Sequence, residues 1–227
     1  MALGLAHRIE AVQSRIADAA CRAGRSSDDV TLIAVSKTVD RAVVDEAYAL
    51  GLRQFGENRV QDSIAKYATP LPGDAKLHMI GQLQSNKSLS AIRLFDVIQS
   101  VDRASLITAL EKHAASEGKT KDVLLEVSVA GEAQKAGCPL SQVEELTRLI
   151  LASSNLNLLG FMTMAPYTAT AEEARPVFSE LRSIRDRLSD SLETPFPWLS
   201  MGMTNDFEVA IEEGATHVRV GRAIFSE

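Results

Sequence analysis

Eight short apolar segments alternate along the chain with longer segments of helical periodicity. Neighbouring parallel strands need long crossover connections, which helices usually supply. Eight strands, each but the last followed by a helix and with one extra helix in front, predict an α/β fold: a single TIM-type (β/α)8 barrel domain over residues 1–227. A doubly wound open sheet is the alternative, because alternation alone does not prove closure. The expected strands lie within residues 31–38, 52–56, 76–80, 97–101, 122–129, 157–162, 198–200 and 217–220.

The first expected strand is a continuous apolar run that ends at a lysine, Lys37. Strands covered by helices on both faces are apolar throughout rather than alternating. Lys37 is therefore expected at the C-terminal tip of the strand, which is the active end of such a barrel. The alternative is a lysine whose stem packs over the rim while its ammonium group stays in water.

The helices are predicted from apolar residues that recur at steps of three and four. The first covers residues 3–23 and ends at Gly24. Ser141 and Glu144 have the spacing of a capping box, which predicts the start of one helix. The other helices are expected at residues 40–51, 57–67, 88–95, 104–116, 141–152, 171–188 and 206–213.

Composition excludes several classes of protein. The net charge of −6, with mixed signs, gives no basic surface for nucleic acid or an anionic membrane. Apolar runs are too short to span a membrane and no signal peptide is apparent, so a cytoplasmic location is expected. Cys21 and Cys138 are expected to be free thiols, and the four histidines lack metal-ligand spacing, so no metal is expected.

Two glycine-containing loops near the C-terminus have the features of a phosphate site. The stretch from Ser200 through Gly202 to Asp206 joins a strand to a helix, and Gly221 and Arg222 follow the last strand. Free backbone N–H groups at a helix start bind anions, and barrels often hold a phosphate in the loops after strands seven and eight. The alternative is an ordinary helix capped by threonine or aspartate.

A phosphate site opposite a strand-end lysine suggests pyridoxal 5'-phosphate (PLP) as the cofactor. Its aldehyde condenses with a lysine amine, and its phosphate needs hydrogen-bond donors. Arg219 is expected to face the pyridine nitrogen, which a permanently protonated guanidinium keeps unprotonated. The alternative is a structural arginine paired with a carboxylate at the rim.

These residues resemble those of the pyridoxal-phosphate homeostasis proteins, a family similar to the barrel half of alanine racemase. The resemblance implies that Lys37 forms a Schiff base with PLP and that Asn58 lies beside the ring. It also implies that Lys87 and Lys135 are cations near the cofactor that do not contact it directly. The residues that it places around the phosphate are Ser200, Gly202, Thr204, Gly221 and Arg222. The motifs that carry it are Ala34-Val35-Ser36-Lys37, Phe55-Gly56-Glu57-Asn58, His78-x-Ile80-Gly81-x-Leu83-Gln84-x-Asn86-Lys87, Lys135-x-Gly137, Ser200-Met201-Gly202-Met203 and Arg219-x-Gly221.

The resemblance implies a protein that holds, buffers or delivers PLP, possible recipients being apo-enzymes that need it. A monomer is expected because the further domain that follows the barrel in alanine racemases is not seen here. An amino-acid racemase is the alternative, and a cofactor-free Schiff-base aldolase is a more remote one. A racemase needs a second base besides Lys37. Tyr167 is the only tyrosine expected in a loop at the active end, since Tyr48 and Tyr67 are expected in helices. An enzymatic turnover is therefore not expected.

Overall fold

A computed structural model of the chain describes residues 4–131, 136–167 and 170–226. Eight parallel strands form a closed barrel in chain order, and β1 closes it by pairing with β8. The predicted barrel is confirmed, and the open-sheet alternative is wrong. The strands are β1 Thr31–Val35, β2 Gln54–Glu57, β3 Lys76–Met79, β4 Val97–Val101, β5 Lys121–Glu126, β6 Leu156–Met162, β7 Trp198–Met203 and β8 His217–Val220.

Helices surround the barrel, and α1 precedes the first strand and packs on α8 and α9. None of the helices described is long and apolar enough to cross a membrane. The α-helices are α1 Leu5–Arg22, α2 Arg41–Ala49, α3 Val60–Lys66, α4 Ser88–Leu94, α5 Ala104–Ser116, α6 Val143–Leu151, α7 Arg175–Leu192, α8 Phe207–Glu212 and α9 Arg222–Phe225. Short 3-10 helices cover Ser27–Asp29, Ser85–Lys87, Leu140–Gln142 and Ala171–Ala174.

Two predictions about helices are wrong. The last strand is followed by a helix, the four-residue α9. The capping box of Ser141 and Glu144 does not form, because residues 140–142 make a 3-10 turn and α6 begins without a side-chain cap. Glu144 instead accepts hydrogen bonds from Arg148 one turn further along, at 2.8 Å from Nη2.

β7 is longer than expected, and this changes the position of one predicted site residue. The strand was expected to end at Ser200 but continues to Met203, which pairs with Arg219 of β8 after a register shift. Ser200 therefore lies in the middle of a strand rather than in the loop that follows. By contrast, β5 is shorter than expected and ends at Glu126.

The strands present different side chains to their two faces. The face toward the helices carries a continuous apolar cluster, to which α7 contributes Phe178 and Leu181. Buried Ile33 of β1 and Leu124 of β5 do not belong to that cluster. They face the barrel interior, where polar side chains also lie.

Candidate functional site

Lys37 lies two residues beyond the end of β1, on the C-terminal side of the barrel. Its side chain is exposed, and its ammonium group makes no hydrogen bond or ion pair with any residue the structure describes. The preceding Ser36 is fully buried. The chain therefore presents an exposed, unpartnered amine at the C-terminal mouth of the barrel, from a fixed backbone position.

A buried polar cluster fixes the backbone next to Lys37. Oε1 of Glu57 accepts hydrogen bonds from Ser36 Oγ at 2.8 Å, Lys66 Nζ at 2.8 Å and Tyr67 Oη at 3.0 Å. Lys66 Nζ also donates to the Ser36 carbonyl at 2.7 Å. Because one carboxylate and one ammonium hold both the side chain and the backbone of Ser36, the base of Lys37 is rigidly placed.

Sequence reasoning missed this cluster. It interpreted Glu57 only as part of a loop motif and placed Tyr67 inside a helix, whereas Tyr67 follows the end of α3. Burial, together with the nearby Glu57 carboxylate, raises the pKa of Tyr67. Tyr67 is thus a hydrogen-bond donor to the cluster at ordinary pH.

Arg219 is buried within β8 rather than exposed at its tip, and only 3% of it is accessible. Nη1 donates to Ser200 Oγ at 2.7 Å, and Nη2 donates to the Thr163 carbonyl at 2.8 Å. No carboxylate of the described residues forms an ion pair with it, so a structural pairing at the rim is not observed. Burial lowers the pKa of Arg219 to about 10, and the group stays charged at neutral pH.

Arg219 begins a hydrogen-bond chain that crosses the barrel interior. Because a guanidinium only donates, the Ser200 hydroxyl must donate onward to Gln99 Oε1, at 2.7 Å. Gln99 Nε2 then donates to His78 Nδ1 at 2.9 Å, and His78 Nε2 donates to Gln54 Oε1 at 2.7 Å. Burial lowers the pKa of His78 to about 3, which matches the neutral ring that this chain requires.

The Ser200 hydroxyl has two partners in this hydrogen-bond chain: it accepts from Arg219 and donates to Gln99. Ser200 was predicted to offer that hydroxyl to a phosphate, but its side chain points into the barrel and is fully buried. The prediction that the strand ends at Ser200 is wrong, because β7 extends past it to Met203. A contact between Ser200 and the phosphate stays a prediction. The Ser200 hydroxyl accepts a hydrogen bond from Arg219 and so helps to fix the position of the guanidinium group.

Gly202, near the end of β7, and Asp206, directly before α8, fix the path of the chain between these two elements. Gly202 has φ of 92°, and a Cβ there would lie 2.6 Å from the Ala210 Cβ of α8, so only glycine fits. Asp206 is buried, and its carboxylate accepts a bond from the Met203 N–H at 2.6 Å rather than capping α8. Burial raises the pKa of Asp206. The Asp206 carboxylate therefore stabilises the backbone between β7 and α8 rather than the first turn of α8.

Unpartnered backbone donors collect in the loops after β7 and β8. The N–H groups of Thr204, Asn205, Gly221 and Arg222 donate to no acceptor of the described residues. Gly221 approaches β1 closely, since a Cβ on it would lie 3.1 Å from the Val35 carbonyl oxygen. The loop after β8 is therefore adjacent to the strand that carries Lys37.

The remaining predicted residues are placed as follows. Asn58 is half-buried directly after β2, and the backbone of Gly81 packs so closely on it that a Cβ at Gly81 would collide with the Asn58 carbonyl. Lys87 is half-buried at the start of α4, whereas Lys135 lies outside the described residues. Tyr167 is 86% exposed.

No group of three or more histidine, cysteine, aspartate or glutamate side chains that could hold a metal occurs in the described ranges 4–131, 136–167 and 170–226. Cys21 is exposed and Cys138 is buried, and both are free thiols. One further carboxyl group at the mouth, Glu126 at the end of β5, was not singled out from the sequence. No motif marks it, and its environment becomes visible only in the closed barrel.

Comparison with known proteins identifies the family. Residues 7–227 match the family model described as alanine racemase, N-terminal domain. A pyridoxal phosphate homeostasis protein of Aquifex aeolicus is 42% identical over 220 residues, which are 97% of this chain and 96% of the relative. The chain belongs to the pyridoxal phosphate homeostasis protein family. The resemblance predicted from the sequence motifs is thereby confirmed.

Solved structures agree with this family and its fold. PipY of Synechococcus elongatus, solved with PLP bound, is 35% identical, with a TM-score of 0.86 over 98% of this chain and 100% of PipY. An alanine racemase of Clostridium difficile is only 11% identical, and this chain covers 56% of it with a TM-score of 0.76. That likeness shows the fold alone, and it confirms the predicted alanine-racemase-like barrel.

Proposed function

We propose that residues 1–227 form one domain that binds PLP and takes part in its homeostasis by holding, buffering or delivering it. The observation that carries the proposal is the placement of an exposed, unpartnered amine, Lys37, beside a loop whose N–H groups at Gly221 and Arg222 donate to no acceptor of the described residues. The naming of the Aquifex aeolicus relative and the PLP bound by PipY support the same ligand.

The residues at the mouth fit PLP group by group. Backbone donors of the loops after β7 and β8 suit a phosphate, because oriented N–H groups favour anions. When bound, PLP supplies an aldehyde that condenses reversibly with a primary amine, and Lys37 is the exposed amine at this end. Arg219 has further N–H donors beyond the two that it uses, and these suit an unprotonated pyridine nitrogen. Asn58 would lie beside the ring.

Enzymatic turnover is not part of the proposed role. Racemisation needs a second base that reaches the substrate carbon. Tyr167 is 86% exposed, and Tyr67, although close to Ser36, has a raised pKa and bonds to Glu57. The raised pKa and the bond to Glu57 leave the Tyr67 phenol unsuited to accept a proton at neutral pH. We propose that PLP is stored and released here rather than used for racemisation, because neither Tyr67 nor Tyr167 is placed as a second base among the described residues.

Delivery to apo-enzymes that need PLP, a monomeric state and a cytoplasmic location complete the proposal. Delivery is checked by mixing the PLP-loaded protein with an apo-enzyme and comparing its rate of reactivation with that given by free PLP. Amino-acid turnover is checked by following chirality and α-deuterium exchange of L-alanine. Steady racemisation abolished by Tyr167→Phe would establish the racemase instead.

The binding site itself is tested by trapping. The protein is mixed with PLP, reduced with borohydride and mapped by peptide mass spectrometry. We expect stoichiometric label at Lys37, and no label at this mouth in Lys37→Ala, because an exposed lysine contributes little to the fold. Lys119→Ala is the matched control, since Lys119 is also exposed but precedes β5 at the opposite end of the barrel.

The same peptide mapping can also contradict the assignment of Lys37 as the attachment site. If Lys37→Ala retains a stoichiometric reducible label at Lys87 or Lys135, Lys37 is not the attachment site. If the wild-type protein takes up no PLP, the proposed function fails as a whole.

A further inference from the structure

Glu126 is the last residue of β5, and its side chain faces the barrel interior. Successive strand residues point to opposite faces. Val123 and Leu125 belong to the apolar cluster under the helices, whereas the buried Leu124 does not. Glu126 therefore shares the interior face with Leu124, at the same end of the barrel as Lys37.

The carboxyl group of Glu126 is incompletely bonded. Only 2% of the residue is exposed, and Oε1 is buried without a hydrogen-bond partner in the described part of the chain. Arg219 does not pair with it, because the arginine donates to Ser200 and Thr163. A buried polar atom without a partner is costly, so this oxygen points to a ligand atom that completes it.

The charges around Glu126 determine its protonation. Asp102 faces it from the end of β4, Arg219 from β8 and Cys138 from the segment beyond β5. Burial, with the negative charge of Asp102 in addition, raises the pKa of Glu126 to about 7, and Arg219 opposes this change. Burial also raises the pKa of the Cys138 thiol to about 12, so the thiol stays neutral. Near neutral pH a large share of Glu126 is therefore the acid, which has an O–H to donate.

The chemistry of PLP leaves one polar group without an assigned partner. Its aldehyde, phosphate and pyridine nitrogen are matched by Lys37, by the loops after β7 and β8, and by Arg219. The ring hydroxyl beside the aldehyde ionises readily to an anionic oxygen and needs a hydrogen-bond donor. This matching rests on the proposed function.

We propose that Glu126 is a ligand-contacting residue of the mouth and that, as the neutral acid, it donates a hydrogen bond to the ring oxygen of bound PLP. Ionisation of Glu126 then removes the donor and places two negative oxygens side by side, which is unfavourable. Affinity for PLP should fall as the pH rises through the titration of this carboxyl group.

The test compares PLP with 3-deoxypyridoxal 5'-phosphate, which lacks the ring hydroxyl. Dissociation constants are measured by equilibrium dialysis at pH 6 and pH 8.5, in the wild-type protein and in Glu126→Gln. Between these two pH values the wild-type protein should lose about tenfold more affinity for PLP than for the analogue. Glu126→Gln, which keeps a donor but no ionisable group, should show no such difference.

Equal pH dependence for PLP and the analogue in the wild-type protein overturns the proposal and leaves the carboxyl group bonded to water. That comparison needs no variant, so it stands even if Glu126→Gln fails to fold. An unchanged difference in Glu126→Gln also overturns it, because an ionisable group other than Glu126 must then cause the pH dependence. If the wild-type protein binds no PLP at either pH, the proposed function itself fails, which is a distinct result.

Discussion

The two faces of the barrel strands differ in what they bury. The outer face packs against the helices through apolar side chains such as Phe161 of β6, and the helices contribute side chains such as Phe178 of α7 to the same cluster. The inner face buries His78, Gln99 and Arg219, which are joined by hydrogen bonds. Burial of apolar area stabilises the outer layer in any sequence of similar volume, whereas each inner polar group must find its own partner.

This difference predicts that the outer apolar residues contribute mainly to stability and that the inner polar residues contribute mainly to ligand binding. Replacing an outer apolar side chain changes volume and leaves the mouth intact. Replacing an inner polar side chain leaves its partner unsatisfied and changes the position or charge of the groups that face a ligand. If the proposed PLP site is right, substitutions on the inner face should change ligand binding, and substitutions on the outer face should change mainly the stability of the barrel.

The largest effect on stability is expected in the outer layer, for Phe178→Ala. Phe178 is fully buried on α7, and removing its ring leaves a cavity, so the free energy of unfolding should fall by about 3–5 kcal/mol. Phe178→Leu is the control and should lose less. Urea unfolding measures both, and PLP titration of the folded protein should give an unchanged dissociation constant. A large loss of PLP affinity in folded Phe178→Ala would show that the two layers are not separable.

A smaller, pH-dependent effect is expected on the inner face, for Glu126→Gln in the PLP-free protein. The pKa of Glu126 is raised from 4.5 to about 7 by burial, so folding disfavours its ionised form. Wild-type stability should therefore be complete below pH 4.5 and fall as the pH rises to about 7. Above pH 7 the glutamine variant should be the more stable by about 3 kcal/mol, and at pH 4 the two should be equal. A difference in urea midpoints that does not vary with pH would contradict this environment for Glu126.

Sequence patterns were sufficient for the fold because strand and helix signals repeat eight times. The run before Lys37 marks a strand buried on both faces, and β1, β4, β8 and α5 begin where they were expected. Local capping was less predictable: Ser141 has the right spacing, but the 3-10 turn at residues 140–142 shifts the helix start beyond it.

The site was only partly predictable, because its polar contacts join residues that are distant in the chain. The bond between Ser200 and Gln99 spans 101 positions, and together with the bond from Arg219 it engages the hydroxyl that was predicted to face the phosphate. Lys66 of α3 pairs with Glu57 at the end of β2 and donates to the Ser36 carbonyl beyond β1, and these contacts form only in the folded chain. The sequence marked Gly202 and Gly221 as loop glycines, and the structure shows that a side chain would collide with α8 at Gly202 and lie tightly against Val35 at Gly221. Their role at a phosphate stays a prediction.

The most direct test of the account compares PLP with pyridoxal, which lacks the phosphate, in the wild-type protein and in Gly221→Val. A valine at this position would press against Val35 and displace the N–H groups of the loop. Gly73→Val is the control, because nothing lies within 4 Å of a Cβ at Gly73. Since hydrogen bonds to a charged group contribute about 1.5–3 kcal/mol, Gly221→Val should weaken PLP binding by at least about tenfold and leave pyridoxal within about twofold. Equal weakening of PLP and pyridoxal would contradict the claim that this loop binds the phosphate.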